Sequence, residues 1–365
     1  MGRESVFLRL TFHDEPRCLY DIVTDTKSPA STSNNAVKYA FAVLTALAFL
    51  WLSFHDMTIS DIWQHSQNVK PIPVFLILLS VLAGTFLRSY RWTLLLAPLR
   101  TASEKPIGQF NAFYAVLMGY AVNIVLPRGG EVVRLLSICK TERLPWAGVL
   151  ATMLIDRMLD VALLAILLGL TLYFLPGEVT NILPGLVTGG LVLLAAALIG
   201  LCMLPTLGHL SQKLLNTAML KHHIPAKFSA KLSELALQFD QGAGALRSFT
   251  RYPFIALLSA LIWFTYWLNF YLMVFAFGLE DTITATKCLI IFTIGSVGSL
   301  IPTPGSIGSI HYLVKMATVA TAQISAELAL AFATTLHLFT FILFPSLVAA
   351  VVFLYKWLIP HTVRT

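Results

Sequence analysis

Long apolar runs separated by short polar loops make up most of this chain. A helix rises ~1.5 Å per residue and the hydrocarbon core of a bilayer is ~30 Å thick, so the longer runs match membrane-spanning helices. They are apolar on every face, whereas strands of a membrane barrel would alternate apolar and polar residues. The apolar runs are 37–54, 72–87, 110–126, 146–175, 183–204, 254–277, 289–301 and 328–358.

Two of these runs are interrupted by proline and glycine. The first, 110–126, is followed by Pro127, Gly129 and Gly130, and the second, 289–301, is followed by a turn with four such residues. Proline removes a backbone donor and glycine lets the chain turn freely, so both segments are predicted to break and reverse. The proline and glycine residues of the second turn are Pro302, Pro304, Gly305 and Gly308.

The distribution of basic residues predicts the side on which each broken segment opens. Basic residues occur on both sides of the first broken segment, and such residues mark cytoplasmic loops. A hairpin that enters from the cytoplasm and returns to it places the basic residues on both sides of the segment in the cytoplasm. If Lys356 and Arg364 are cytoplasmic as well, the second hairpin opens to the outside. The basic residues around the first segment are Arg88, Arg91, Arg100 and Lys105 before it and Arg128, Arg134, Lys140 and Arg143 after it.

We therefore predict an all-α polytopic membrane protein with about six full spans and two broken re-entrant helical hairpins in an inverted repeat. Broken segments at matching positions of two halves are typical of the substrate site of secondary transporters. The predicted parts are a cytoplasmic tail at 1–35, a first membrane repeat at 36–182 with a hairpin at 107–142, a second repeat at 183–358 with a cytoplasmic insert at 205–252 and a hairpin at 285–322, and a C-terminal tail at 359–365. Leucines in the insert suggest either amphipathic helices on the bilayer surface or a simple helical linker.

The composition excludes a soluble globule. Hydrophobic residues make up 57% of the chain and charged residues 12%, with a mean hydropathy of +0.77, whereas about a quarter of an ordinary soluble domain is charged. The net charge of +7 does not indicate nucleic acid, because the basic residues lie in short loops beside apolar runs, where they act as topology signals and lipid contacts. The four cysteines are scattered and indicate no metal site.

Three charges lie within the otherwise apolar run 146–175. Each costs ~2.5–3.5 kcal/mol at the centre of a bilayer, so Asp156, Arg157 and Asp160 must face the helix bundle. Asp156 and Asp160, four residues apart, share a helix face, and Arg157 and Asp160 are spaced to pair. A substrate site and a structural ion cluster near the cytoplasmic interface both remain open.

Two histidines accompany the second hairpin. Shifting the last run by 180 residues places His337 where Arg157 stands, and His311 directly follows the turn. Histidine titrates near neutrality, so both are candidate site residues, although a hydrogen-bonded helix contact also explains His337. The chain contains no HExxH, no phosphate-binding loop and no nucleotide fingerprint, so we expect neither a metal nor a cofactor.

Three motifs in this chain resemble those of the membrane region of lysylphosphatidylglycerol synthases and of stand-alone flippase-like proteins related to it. The resemblance covers nearly everything from residue 37 onward. Ser306 departs from the family pattern, which has a second glycine there, and His311 stands where many relatives have glutamate. The matching residues are Asn123, Pro127, Arg128, Gly130, Glu131 and Arg134, then Asp156, Arg157 and Asp160, then Pro302, Pro304, Gly305 and Gly308.

The resemblance implies transport of a phospholipid or a lipid-linked, polyprenyl-phosphate type head group between leaflets of the cytoplasmic membrane, with both termini cytoplasmic. The soluble aminoacyl-transfer domain of the full-length synthases is not expected here, which argues against lysyl transfer. An intramembrane lipid-modifying transferase and an accessory membrane subunit of a cell-envelope lipid pathway remain alternatives. A homodimer and a separate lipid-modifying enzyme are conceivable partners. The expected substrate-binding residues are Asn123, Arg128, Glu131, Arg134, Asp156, Arg157, Asp160, His311 and His337.

Overall fold

A computed structural model describes residues 44–54, 59–100, 104–126, 128–174, parts of 185–203, 226–244 and 249–358. The predicted tails, Pro127, residues 205–225 and much of the predicted spans 37–54 and 183–204 lie outside these residues. The described part is helical and contains no strand. Its continuous α-helices are α1 (Leu44–Phe54), α2 (Ile59–Ser66), α3 (Pro71–Leu96), α4 (Gln109–Val125), α5 (Gly129–Glu142), α6 (Trp146–Phe174), α7 (Ala226–Ala243), α8 (Tyr252–Phe277), α9 (Ala285–Gly298), α10 (Ser309–Ala322), α11 (Ala326–His337) and α12 (Phe344–Leu358).

Within the part of the chain that the structure describes, three helical stretches are long and apolar enough to cross a membrane: Pro71–Leu99, Tyr252–Phe277 and Ala326–Tyr355. Large apolar side chains such as Phe75 and Leu347 are exposed on them, as expected for helices whose outer face meets lipid rather than water. The all-helical membrane fold predicted from the sequence is thus confirmed. The number of full spans stays a prediction.

The predicted end of the second span, at residue 87, lies nine residues before the observed end of the helix. α3 continues to Leu96 and carries Arg88 and Arg91 inside the helix, where both side chains are buried. The interpretation of these two arginines as loop residues marking the cytoplasmic side is therefore wrong. The helix can continue through them because carboxylates on α6 neutralise both charges.

The first broken segment is a helical hairpin in which α4 and α5 pack against each other. Arg128 makes the reversal with a left-handed backbone (φ 61°), whereas the sequence suggested that Gly129 and Gly130 would do so; both are helical. Gly130 is required for a different reason, since a Cβ atom there would lie 1.9 Å from the Gly119 carbonyl oxygen on α4. The close approach of the two helices thus requires a residue without a side chain at this position.

The second broken segment is also a helical hairpin, formed by α9 and α10. Its turn contains three left-handed residues, Gly305 (φ 56°), Ser306 (φ 57°) and Gly308 (φ 85°). The two hairpins meet at their tips, because a Cβ atom on Gly305 would lie 3.6 Å from the Cα of Ile124 near the end of α4.

Helices of the two halves correspond in length and position. α3 and α8 each have 26 residues and pack along one another. α5 and α10 each have 14 residues and begin at 129 and 309, 180 positions apart, which is also the separation between the starts of α6 and α11. Two apolar cores form, one built mainly from the first half around Trp92 and Ile155 and one mainly from the second half around Phe292 and Phe332; Ile255 joins the first and Ile77 the second.

The predicted insert at 205–252 contributes one described helix, α7, which packs against α6. Gly242 on α7 lies so close to α6 that a Cβ atom there would be 2.2 Å from the Gly148 carbonyl oxygen. α7 is therefore anchored to the bundle through one face. The last run, predicted as one span at 328–358, is α11 and α12 joined by a π-helical segment, Leu338–Leu343.

Candidate functional site: a buried arginine and carboxylate cluster

Two arginines of α3 point into the bundle towards α6. Arg88 and Arg91 are three residues apart and thus share a face of the helix. Arg91 Nη2 donates to Asp156 Oδ1 at 2.8 Å and to Asp160 Oδ1 at 2.7 Å. Arg88 Nη2 donates to Asp160 Oδ2 at 2.5 Å and reaches Asp156 Oδ2 at 3.4 Å. Both guanidinium groups are therefore held by the same two carboxylates.

Asp156 is the centre of this arrangement. Its side chain is fully buried and forms ion pairs with three arginines, the two on α3 and Arg134 on α5. Asp160, one turn further along α6, is 13% exposed. A buried carboxylate is tolerated only when it is paired and hydrogen-bonded, and the positions of Asp156 and Asp160 agree with the prediction that these two charges face the bundle.

Arg134 lies between the carboxylates and an aromatic ring. Its Nη1 donates to Asp156 Oδ2 at 3.1 Å, and its guanidinium carbon lies 3.9 Å from the centre of the Trp92 ring, a favourable cation–π distance. Its Nε and Nη2 atoms are buried and have no hydrogen-bond partner among the described residues. Arg134 therefore keeps two buried donors without an acceptor in the described part of the chain.

A second ion pair lies further out, between Glu131 on α5 and Arg157 on α6. The Arg157 side chain is 44% exposed and that of Glu131 29%, so this pair faces an opening rather than the core. Arg157 also approaches Asp160 at 3.9 Å, the contact expected from their spacing. The cluster thus has a closed inner part and an accessible outer part.

The second half of the chain contributes polar groups to the inner part. Tyr266 and Ser259, both on α8, accept hydrogen bonds from Arg88 Nη1 at 3.0 Å and from Arg91 Nη1 at 2.8 Å. Four helices, α3, α5, α6 and α8, therefore build one site. We call its charged members the arginine cluster: Arg88, Arg91, Glu131, Arg134, Asp156, Arg157 and Asp160.

The other candidates of the first hairpin lie beside the cluster. Asn123 accepts a hydrogen bond from the Gly130 backbone at 2.9 Å and so fixes the start of α5. Arg128 is exposed at the hairpin tip, and Pro127 lies outside the described residues. Asn123 thus has a structural role in this conformation. Arg128 presents its charge on the outer surface of the hairpin tip.

The two histidines form a separate group on the second hairpin. Their ring centres are 4.7 Å apart, and both side chains are buried. His337 Nε2 lies 2.8 Å from the Gly305 carbonyl oxygen, and His311 Nδ1 accepts from the Gly308 backbone at 3.2 Å. No hydrogen bond, ion pair or ring contact in the described part of the chain connects them to the arginine cluster.

Sequence reasoning missed four residues of the site, Arg88, Arg91, Ser259 and Tyr266. One signal for the arginines was available: the apolar sequence resumes at Trp92 and runs to Leu96, so the helix did not need to end at Leu87. No group of three or more histidine, cysteine, aspartate or glutamate side chains suited to a metal occurs among the described residues.

These features define an all-helical membrane protein with a buried ionic site between the first helical hairpin and the helices α3, α6 and α8. The chain belongs to the family described as the lysylphosphatidylglycerol synthase TM region, whose model matches residues 37–349. The match spans both hairpins and every member of the arginine cluster. No curated protein and no solved structure matches the chain. Membership connects this protein with membrane lipid metabolism or transport.

Proposed function

We propose that this protein moves a phosphate-bearing lipid, either a phospholipid or a polyprenyl-phosphate type lipid, between the leaflets of a membrane. The observation that carries the proposal is the pair of buried donors on Arg134 without a partner in the described part of the chain. A buried donor without an acceptor costs about 1–3 kcal/mol. Two neighbouring phosphate oxygens satisfy such a pair in the bidentate geometry that arginine favours.

The charge of the arginine cluster supports an anionic ligand. Four arginines face three carboxylates across these helices, which leaves one net positive charge. A phosphodiester carries one negative charge and compensates it. The Trp92 ring packs against one face of the Arg134 guanidinium. It thereby holds this group in position for the head group.

The outer ion pair is suited to open when lipid arrives. A partly exposed pair such as Glu131–Arg157 contributes only ~0–1 kcal/mol, so a phosphate can replace Glu131 on Arg157 at small cost. The inner pairs on Asp156 are buried and much harder to break. We therefore assign Arg157 and Glu131 to head-group entry, Arg128 to first contact at the tip, and Arg134 to binding.

The two hairpins form the proposed path. At ~1.5 Å per residue, α4 spans ~26 Å and α5 ~21 Å, both short of a ~30 Å hydrocarbon core, as expected for re-entrant helices. The equal lengths of α3 and α8 and of α5 and α10 support two structural repeats. In our proposal they are inverted, so that one hairpin opens to each side, with both chain termini in the cytoplasm.

Reconstitution into liposomes with a panel of labelled lipids tests the proposal. We expect leaflet exchange of phosphate-bearing lipids by the native chain, slower exchange by Arg157→Ala, and a changed rate for Glu131→Gln, which removes the carboxylate that competes with phosphate for Arg157. Lys70→Ala is the matched control, because it removes a charge from an exposed ion pair with Glu280 far along the chain from the cluster. Equal exchange by well-folded native and cluster variants would refute the proposed site.

The same liposomes distinguish the alternative functions. Mass spectrometry of the recovered lipids should detect no product of altered mass if the protein only translocates lipid. A modified product would instead identify an intramembrane transferase. An accessory subunit predicts neither exchange nor modification by the isolated chain.

A further inference from the structure

The histidine pair occupies the position in the second half that an ion pair occupies in the first. Glu131 is the third residue of α5, and His311 is the third residue of α10. Arg157 and His337 follow at the same 180-residue separation. The Glu131–Arg157 contact therefore corresponds to the contact between the two imidazole rings. A pair with permanent charges in one half is replaced by a pair whose charge depends on bound protons.

The hydrogen bonds of the pair determine where a proton can bind. The Gly308 backbone nitrogen can only donate, so His311 Nδ1 is unprotonated. The Gly305 carbonyl oxygen can only accept, so His337 Nε2 carries a hydrogen. A proton that binds Nδ1 of His337 leaves both bonds in place, whereas a proton on Nδ1 of His311 breaks one. His337 is thus the residue that can take up the proton.

Among the described residues, no carboxylate contacts either ring in a way that would hold the pair permanently charged. Phe54 and Phe341 cover the two rings, at centroid distances of 5.9 Å from His311 and 5.2 Å from His337. Lys315, one turn beyond His311, donates to the Ser53 carbonyl oxygen at 2.9 Å. Among the side chains that the structure describes, the other titratable groups on α10 and on the helices packed nearby, apart from Cys288 in the core, are Tyr312 on α10, exposed His65 on α2, Lys287 and Glu327 in the first turns of α9 and α11, and Tyr252, Tyr266 and Tyr271 on α8.

We propose that His311 and His337 form a proton-binding site that couples proton movement to lipid transport; this rests on the function proposed above. Two imidazolium rings at this distance would repel each other, so the pair binds one proton. A charged His337 donates a stronger hydrogen bond to the Gly305 carbonyl oxygen. Because the Gly305 turn lies against Ile124, the bound proton acts on the contact between the two hairpin tips.

The first test measures proton binding without transport. The full chain, labelled with ¹⁵N-histidine, is titrated by NMR in nanodiscs, and spectra of His311→Gln and His337→Gln assign the two rings. We expect the pair to take up one proton, on His337, within the titrated pH range, and we expect this step to disappear in His337→Gln. Two rings that stay neutral, or that both charge, over this range would overturn the proposed site. His65→Gln, which changes an exposed histidine, is the control.

The second test measures coupling in liposomes. A pH gradient of one unit corresponds to about 1.4 kcal/mol, so transport of one proton per lipid shifts the steady-state leaflet ratio of the labelled lipid by up to tenfold. We expect this shift for the native chain and for His65→Gln, relative to protein-free liposomes, and its loss in His337→Gln. Lipid exchange by the native chain with an unchanged leaflet ratio would overturn the coupling alone. Proton binding without any lipid exchange would instead refute the proposed lipid transport.

Discussion

Replacement of Asp156 by asparagine tests the electrostatic centre of the site. The substitution preserves shape but removes the charge that three arginines share, Arg88, Arg91 and Arg134. Loss of one partner from a buried ion pair costs about 3–5 kcal/mol because the remaining charges stay buried without compensation. With about 2–4 °C per kcal/mol for a large domain, the melting temperature should fall by roughly 6–20 °C.

The assay is thermal unfolding of the purified protein in one detergent, followed by tryptophan fluorescence and by loss of the monodisperse peak in size-exclusion chromatography. Glu280→Gln provides the matched control, because it neutralises a carboxylate in the exposed pair with Lys70, where solvent screening leaves little stability to lose. A melting temperature for Asp156→Asn within about 2 °C of the native value would refute the reasoning. It would mean that the arginines find other partners or that the site is hydrated.

Three further predictions use the same thermal assay. Gly130→Ala should destabilise the protein by about 1–3 kcal/mol because its methyl group would meet the Gly119 carbonyl oxygen; the control, Gly169→Ala, meets no atom within 4 Å and should be neutral or stabilising. Ser306→Gly should raise stability by about 1 kcal/mol because it relieves a left-handed backbone, and a lower melting temperature would contradict that. Glu142→Gln should lower stability because it weakens the bonds of this side chain to Arg100 and to the Gly108 backbone; an unchanged melting temperature would contradict this.

The sequence was informative wherever a local pattern determined structure. The apolar run 146–175 predicted α6, Trp146–Phe174, almost to the residue, because a helix in lipid must satisfy its own backbone. The free-energy cost of exposing a charge to lipid correctly predicted that Asp156 lies inside the bundle. Proline and glycine correctly marked the position of the break between α4 and α5, although Arg128 makes the reversal.

The partners of these charges could not be read from local patterns. Arg91 and Asp156 are 65 positions apart, and charge counting near apolar runs cannot distinguish a loop arginine from a buried one. The same limit applies to Gly130, whose importance lies in contact with a neighbouring helix rather than in its own backbone angles. Similarly, the sequence presented His337 as a counterpart of Arg157 but gave no sign of its bond to Gly305.

The most direct test of the central claim is the rate at which labelled phosphatidylglycerol exchanges between leaflets in liposomes that contain either the native chain or Arg134→Gln. A charge-assisted hydrogen bond contributes about 1.5–3 kcal/mol, so loss of the guanidinium should slow exchange by about ten- to a hundredfold, while Lys70→Ala exchanges at the native rate. Native-rate exchange by a folded Arg134→Gln protein would contradict the claim that this arginine binds the head group.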